Sequence, residues 1–179
     1  MKMYVTSDLH FGHKNIIKYE NRPFLNIEEM DNAIINLWNK TIDNDDIVYV
    51  LGDFSWYKGE KTNEILKELK GNKILIIGNH DKNFFEDKKF DRNLFQEICY
   101  YKELKINKTK IVLFHYPIID WNGKNNGSIH LYGHVHSMRN NDTEYMNKMQ
   151  KNYNCFNVGI DVHKRILDLE EFIWREKSL

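Results

Sequence analysis

The spacing of hydrophobic and polar positions changes several times along the chain, and each change marks an element. Met3 to Ser7 is a short apolar run that predicts a strand, and polar "DLHFGHKN" follows it at once. "NIEE" then puts Asn26 three residues before Glu29, the pattern of a capping box at a helix start. Behind it Ile27, Met30, Ile34, Leu37, Trp38 and Thr41 recur at helical spacing and are expected to face a core. "DIVYVLGD" predicts a second strand, "GEKTNEILKELKG" a second helix closed by Gly71, and "NKILIIGNHD" a third, buried strand. This strand–helix alternation argues for an α/β layered fold with parallel strands.

The second half changes character. "EICYYKELKINKTKIVLFHYP" reads as two strands joined by an Asn-Lys-Thr turn, hence a hairpin. "SIHLYGHVHS" and "NCFNVGIDV" supply further short strands, and "DLEE" announces a last helix from about Asp168. With no repeat, low-complexity tract or linker, residues 1–179 are expected to form one domain.

Composition narrows the classes of function. Apolar residues make up 41% and charged residues 29%, ordinary for a folded soluble chain. Lys plus Arg and Asp plus Glu number 26 each, so the formal net charge is zero. That balance disfavours extended binding along nucleic acid, where affinity comes from neutralised phosphates. No run approaches the ~18 apolar residues of a membrane span. The N-terminal "MKMYVTSDLHFGH" does not read as a signal peptide. Cys99 and Cys155 match no metal or redox spacing and read as reduced thiols in a cytoplasmic protein.

The chemistry gathers where strands end. "VTSDLH" offers Asp8 and His10, "VLGD" Asp53, "IIGNHD" Asn79, His80 and Asp81, "VLFHYP" His115, and "LYGHVH" His134 and His136. Each piece alone has an ordinary reading: a turn or cap for Asp8 and Asn79, a core histidine for His115. Their coincidence at five strand ends is what counts, because such groups meet in one crevice of an α/β sheet. Carboxylates, a carboxamide and imidazoles suit borderline divalent ions such as Mn, Fe, Zn or Ni. In an extended segment, residues i and i+2 of "DLH" and "HVH" would point to the same side.

The ordered set "DLH", "GD", "GNHD", a lone His after an apolar strand and "GHVH" resembles the calcineurin-like metallophosphoesterases, over Asp8 to His136. The opening "SDLHFGHKNIIKYENRPF" further resembles a small subgroup found in bacteria and their phages. The resemblance implies a four-layer αββα sandwich of two mixed β-sheets flanked by helices. It also implies two divalent ions, Mn foremost, with Asp8, His10 and His136 at one and Asn79, His115 and His134 at the other. Asp53 would bridge the ions, and His80 would serve as general acid at the leaving oxygen. Formal charges support this donor set: two dications, two carboxylates and a bridging hydroxide leave a net positive site, which attracts a phosphate ester.

Other residues carry weaker expectations. His13 is a candidate either for contact with the substrate phosphate or for capping the next helix. Arg22 is a candidate phosphate clamp, Trp121 a candidate stacking surface, and Asp81 an orienting group. After Asp53 the chain reads "FSWYKG", with Trp56 and Tyr57 where protein phosphatases of this superfamily carry "GDxVDRG", so that activity is disfavoured. The expected function is metal-dependent hydrolysis of a small, nucleotide-like phosphodiester or phosphomonoester. The alternatives are a catalytically inactive protein-binding scaffold, as the retromer subunit of this superfamily is, or a nuclease on longer DNA or RNA.

Overall fold

The alternating apolar runs of the first half become the strands of one sheet. The computed structural model describes residues 1–137, 148 and 153–177. Strands β1 (Met3–Thr6), β2 (Ile47–Val50), β3 (Asn72–Ile76) and β4 (Glu97–Cys99) pair in parallel. β9 (Leu167–Asp168) adds antiparallel to β1, giving the order β4-β3-β2-β1-β9. A second sheet has the order β5-β6-β7-β8, from Tyr101–Ile106, Thr109–Phe114, Ile129–Tyr132 and Cys155–Asn157. In it β5 and β6 form the expected hairpin, while β6, β7 and β8 run parallel.

Strand alternation sorts each side chain to a layer. On one face of the first sheet, Tyr4, Val48, Val50 and Leu75 pack against helices α2 (Ile27–Thr41) and α3 (Gly59–Glu68) through Met30, Ile34, Trp38, Ile65 and Leu66. On the other, Val5, Tyr49, Leu51, Ile74 and Ile76 meet Ile111, Leu113, Ile129 and Leu131 of the second sheet. Two mixed sheets thus share an inner core, with helices flanking the first. Helices α1 (Lys14–Tyr19), α4 (Lys82–Phe85), α5 (Ile160–His163) and α6 (Leu169–Lys177) complete the described elements named here.

The helix signals act as written, with small shifts. Asn26 accepts a hydrogen bond from the Glu29 N–H at 2.8 Å, and Glu29 reaches back to the Leu25 N–H rather than to Asn26 itself. Asp168 likewise accepts from the Glu171 N–H at 3.1 Å, at the start of α6. α3 ends at Glu68 with Leu69 as its cap, so Gly71 shapes the turn into β3 instead. The expected first strand of the hairpin is split: Glu97–Cys99 belong to the first sheet and Tyr101–Ile106 to the second. Both pieces satisfy the same local pattern, and only the choice of partner strand separates them.

Candidate active site

The loops leaving β1 and β2, and those leaving β6 and β7, are fastened in pairs by their backbones. Asp8 N–H donates to Gly52 O at 3.0 Å, His10 N–H to Asp53 O at 3.0 Å, and Gly133 N–H to His115 O at 2.9 Å. These bonds, with those that the Asp8, Asp53 and Asp81 carboxylates accept from the other loops, bring together Asp8, His10, Asp53, Asn79, His80, His115, His134 and His136. The reason is not the one that extended spacing suggests. Asp8, His10, Asp53, His134 and His136 all have left-handed backbones, with φ of 59°, 55°, 54°, 70° and 46°. Such conformations are costly for residues with a Cβ and concentrate at functional sites.

Close approach is required as well. A Cβ on Gly133 would lie 2.5 Å from Asp8 Oδ2 and 2.6 Å from Ser7 Cβ. A Cβ on Gly78 would collide with the Asp53 carboxylate and lie 2.6 Å from its backbone nitrogen. Asp8 uses the space beside Gly133 to accept the His134 N–H on both oxygens, at 3.1 and 3.0 Å, and the Ser7 hydroxyl at 2.6 Å.

Two clusters result. Ligand atoms of Asp8, His10 and His136 lie within 4.8 Å of one another, and so do those of Asp53, His115 and His134. The two imidazoles of "GHVH" therefore fall in different clusters. Asp53 stands between them: its Oδ2 is 3.6 Å from His10 Nε2 and its Oδ1 is 3.6 Å from His115 Nε2. Asn79 Oδ1 lies 3.0 Å from His115 Nε2, while His115 Nδ1 donates to the Leu51 carbonyl at 2.7 Å. A carbonyl only accepts, so a hydrogen sits on Nδ1, and Nε2 is the ring atom that faces Asn79 Oδ1 and the cluster.

The donors fit divalent ions. Among the described residues, His10 Nε2 is buried with no hydrogen-bond partner, a costly state unless it serves as a ligand. Burial, with the neighbouring His136, holds the His10 imidazole far below its ordinary pKa, and burial with His115 lowers that of His134. These rings supply lone pairs rather than protons. Burial raises the pKa of Asp8, so its ionised form needs nearby positive charge.

His80 occupies the mouth, its side chain 39% exposed and its Nε2 3.9 Å from Asp53 Oδ2. Its backbone N–H donates to Asp53 Oδ1 at 2.9 Å. Asp81 accepts from the N–H groups of Asp53, Phe54 and Gly78 at 3.0, 2.8 and 2.7 Å, tying the β2 and β3 loops together. Burial and the Asp53 charge push its pKa up to about 7.

The weaker expectations fare differently. His13 stands at the rim, its Nδ1 3.3 Å from His10 Nδ1, and makes no side-chain cap bond to α1. Its ring stacks on Trp56 with centroids 4.0 Å apart and planes 6° apart. Trp56, which the sequence marks only by a departure, is 38% exposed and 4.6 Å from the His80 ring. Arg22 is no phosphate clamp: its guanidinium is buried, donating to Asp161, the Leu9 and Asp8 carbonyls and Met30 Sδ. Trp121 is no stacking surface either. It is buried with Val112, Tyr132 and Cys155, and its indole N–H donates to Ser128 Oγ at 3.0 Å.

Asp161 is a residue that the strand-end reading missed. Its Oδ2 lies 2.9 Å from His136 Nδ1. The signal was available, because "NCFNVGID" is a sixth apolar run ending in a carboxylate.

The chain is similar to several known proteins. An uncharacterized protein of Methanocaldococcus jannaschii is 37% identical over 163 residues, covering 90% of this chain and 82% of that protein. The gene 66 protein of Mycobacterium phage L5 is 25% identical over 196 residues, covering 94% and 90%. A crystal structure of a protein of unknown function from Aquifex aeolicus aligns with a TM-score of 0.73 at 29% identity, covering 97% and 98%. Residues 1–138, which hold both clusters and His80, match the family model described as calcineurin-like phosphoesterase. The chain belongs to the calcineurin-like phosphoesterase family.

Proposed function

We propose that this protein, as a single domain of residues 1–179, hydrolyses small phosphoesters with two divalent ions. Asp8, His10 and His136 would hold one ion, Asn79, His115 and His134 the other, with Asp53 shared. The observation that carries this reading is the position of Asp53, whose two oxygens face different clusters at the same 3.6 Å separation. Divalent ions so held would neutralise phosphate charge and acidify a water for attack on phosphorus. The N/O donor set suits Mn first, with Fe, Zn or Ni also accommodated.

The chain's own residues do the rest. Asp53 and Asp8 bring negative charge without surplus, so a phosphate ester is attracted rather than repelled. His80, at the open rim, holds a proton for the leaving oxygen. The Trp56–His13 stack forms an aromatic wall beside it, which favours esters with a planar organic group such as a nucleotide. Two free cysteines, Cys99 and Cys155, support a reducing, cytoplasmic setting. No helix among the described residues is long and apolar enough to cross a membrane.

The test is a comparative hydrolysis screen with Mn present, setting bis-aryl phosphate, aryl phosphate, cyclic nucleotides and short oligonucleotides side by side. Turnover of the small esters, abolished by a chelator, is expected. Two ions bound with none of these substrates hydrolysed would favour the scaffold alternative. Turnover confined to oligonucleotides would favour a nuclease.

A further inference from the structure

We infer that the Arg22–Asp161 ion pair is a positioning device for His136, fixing its tautomer so that only Nε2 is offered to the cluster with Asp8 and His10. The inference rests on the reading of that cluster as a cation site. Asp161 and Arg22 are 139 positions apart in sequence and both buried, with Asp161 Oδ1 2.8 Å from Arg22 Nε and Oδ2 2.9 Å from the NH2 nitrogen. An ionised carboxylate only accepts, so the 2.9 Å contact to His136 Nδ1 puts the hydrogen on the imidazole. Nδ1 is then spent, and Nε2 carries the lone pair. A histidine that binds a metal commonly has its second nitrogen held in this way.

The same guanidinium acts on the other two members of the cluster. Its NH1 nitrogen donates to Leu9 O at 2.8 Å and its NH2 nitrogen to Asp8 O at 2.7 Å. These carbonyls flank the left-handed turns at Asp8 and His10. One planar fork therefore sets the backbone that presents two ligands and the carboxylate that orients the third. Lysine, a point donor on a flexible stem, could not reproduce both tasks. Asn157 adds a further restraint, donating from Nδ2 to His136 O at 2.9 Å.

A competing use of these side chains fails on the geometry. Glu20, His136 and Asp161 also lie close enough to resemble a separate cation site. Both oxygens of Asp161, however, are already engaged by Arg22 at hydrogen-bonding distance. A dication there would be placed against a guanidinium. Asp161 is a positioning residue and acts through His136.

The experiment is Asp161→Asn, read in two ways. In metal-free protein at alkaline pH, long-range ¹⁵N correlation spectra of His136 should show the hydrogen on Nδ1 in the wild type. In the variant the hydrogen should no longer be confined to Nδ1. The amide has one accepting oxygen for three donors and its NH2 opposes either Arg22 or the ring, so an Nε2–H form should appear. In Mn titrations, affinity at one of two sites should fall about 10- to 100-fold. The other site should keep its wild-type affinity. In a His136→Ala background, Asp161→Asn should cost no further affinity. An unchanged tautomer, or equal weakening of both sites, would overturn the inference and leave Asp161 a merely structural residue. If Asp161→Asn does not fold, Arg22→Lys is used instead. The Nδ1 hydrogen should then be retained, because Asp161 still accepts it, while Mn affinity falls at the same site only. Equal weakening of both sites would again overturn the inference. Wild-type protein that binds no ion would sink the proposed function alone, since the tautomer measurement needs no metal.

Discussion

Gly133→Ala isolates the close approach at the heart of the site. Gly133 does not have a positive φ, so alanine brings no backbone strain there, and its effect must come from its methyl group. That carbon would sit 2.5 Å from Asp8 Oδ2 and 2.6 Å from Ser7 Cβ, and both residues are fully buried. Relief requires Asp8 to swing away, which breaks its bonds to the His134 N–H. Overpacking of this kind costs about 1–3 kcal/mol. In a chain of this size each kcal/mol lowers Tm by about 2–4 °C, so a loss of about 2–12 °C is expected. The control is Gly127→Ala, where φ is 78° and a Cβ would meet nothing within 4 Å. Its left-handed strain costs about 1–2 kcal/mol with no contact to the site. Thermal melts of the two variants should therefore overlap in size, while Mn affinity and turnover fall only in Gly133→Ala. A Gly133→Ala protein with wild-type Mn affinity would show that Ser7 and Asp8 yield freely, and the crowding argument would be wrong.

Two further outcomes are expected. His80→Ala should keep both ions and its fold, since the backbone N–H that bonds Asp53 is retained, yet lose about 10²- to 10⁴-fold in turnover. The loss should shrink as the leaving group becomes more acidic, and a loss independent of the leaving group would remove His80 as proton donor. Saturation with Mn at about 100 times Kd should stabilise the protein by about 2.7 kcal/mol per site, seen as a rise in Tm that a chelator reverses. No shift in melting temperature would mean that the clusters hold no ion in the folded state.

Local patterns made the strand ends readable, because strand and helix signals depend on neighbours a few positions away. The same patterns assembled the chemical set, since each strand end carried an uncommon residue type. They misjudged what depends on a distant partner. Arg22 in "NRPF" looks like any exposed arginine until Asp161 meets it from the far end of the chain. Trp121 lies in a polar loop, and only the fold folds that loop's indole under itself against Val112 and Cys155. The Trp56–His13 stack pairs residues from two loops whose spacing carries no hint of contact. The left-handed turns were the deeper omission. "DLH" and "HVH" alternate as a strand would, but that alternation says nothing of φ, and Asp and His are not glycine.

Those turns change how the site's energetics should be seen. Five residues with side chains hold left-handed conformations, each at a cost of up to about 1–2 kcal/mol, against a net domain stability of about 5–15 kcal/mol. Strain on that scale persists only where surrounding bonds over-determine the backbone. The bonds are identifiable: Asp81 gathers three N–H groups from the β2 and β3 loops, Arg22 two carbonyls after β1, and Asp8 the N–H of His134 after β7. Each of these groups is charged or buried and reaches across from another segment, so none can relax without releasing a turn. The arrangement of the ligands is therefore tied to a hydrogen-bonded network that reaches beyond them. Under the proposed function, Asp81 and Arg22 would thus contribute to ion affinity without touching an ion, by holding the turns that present its ligands.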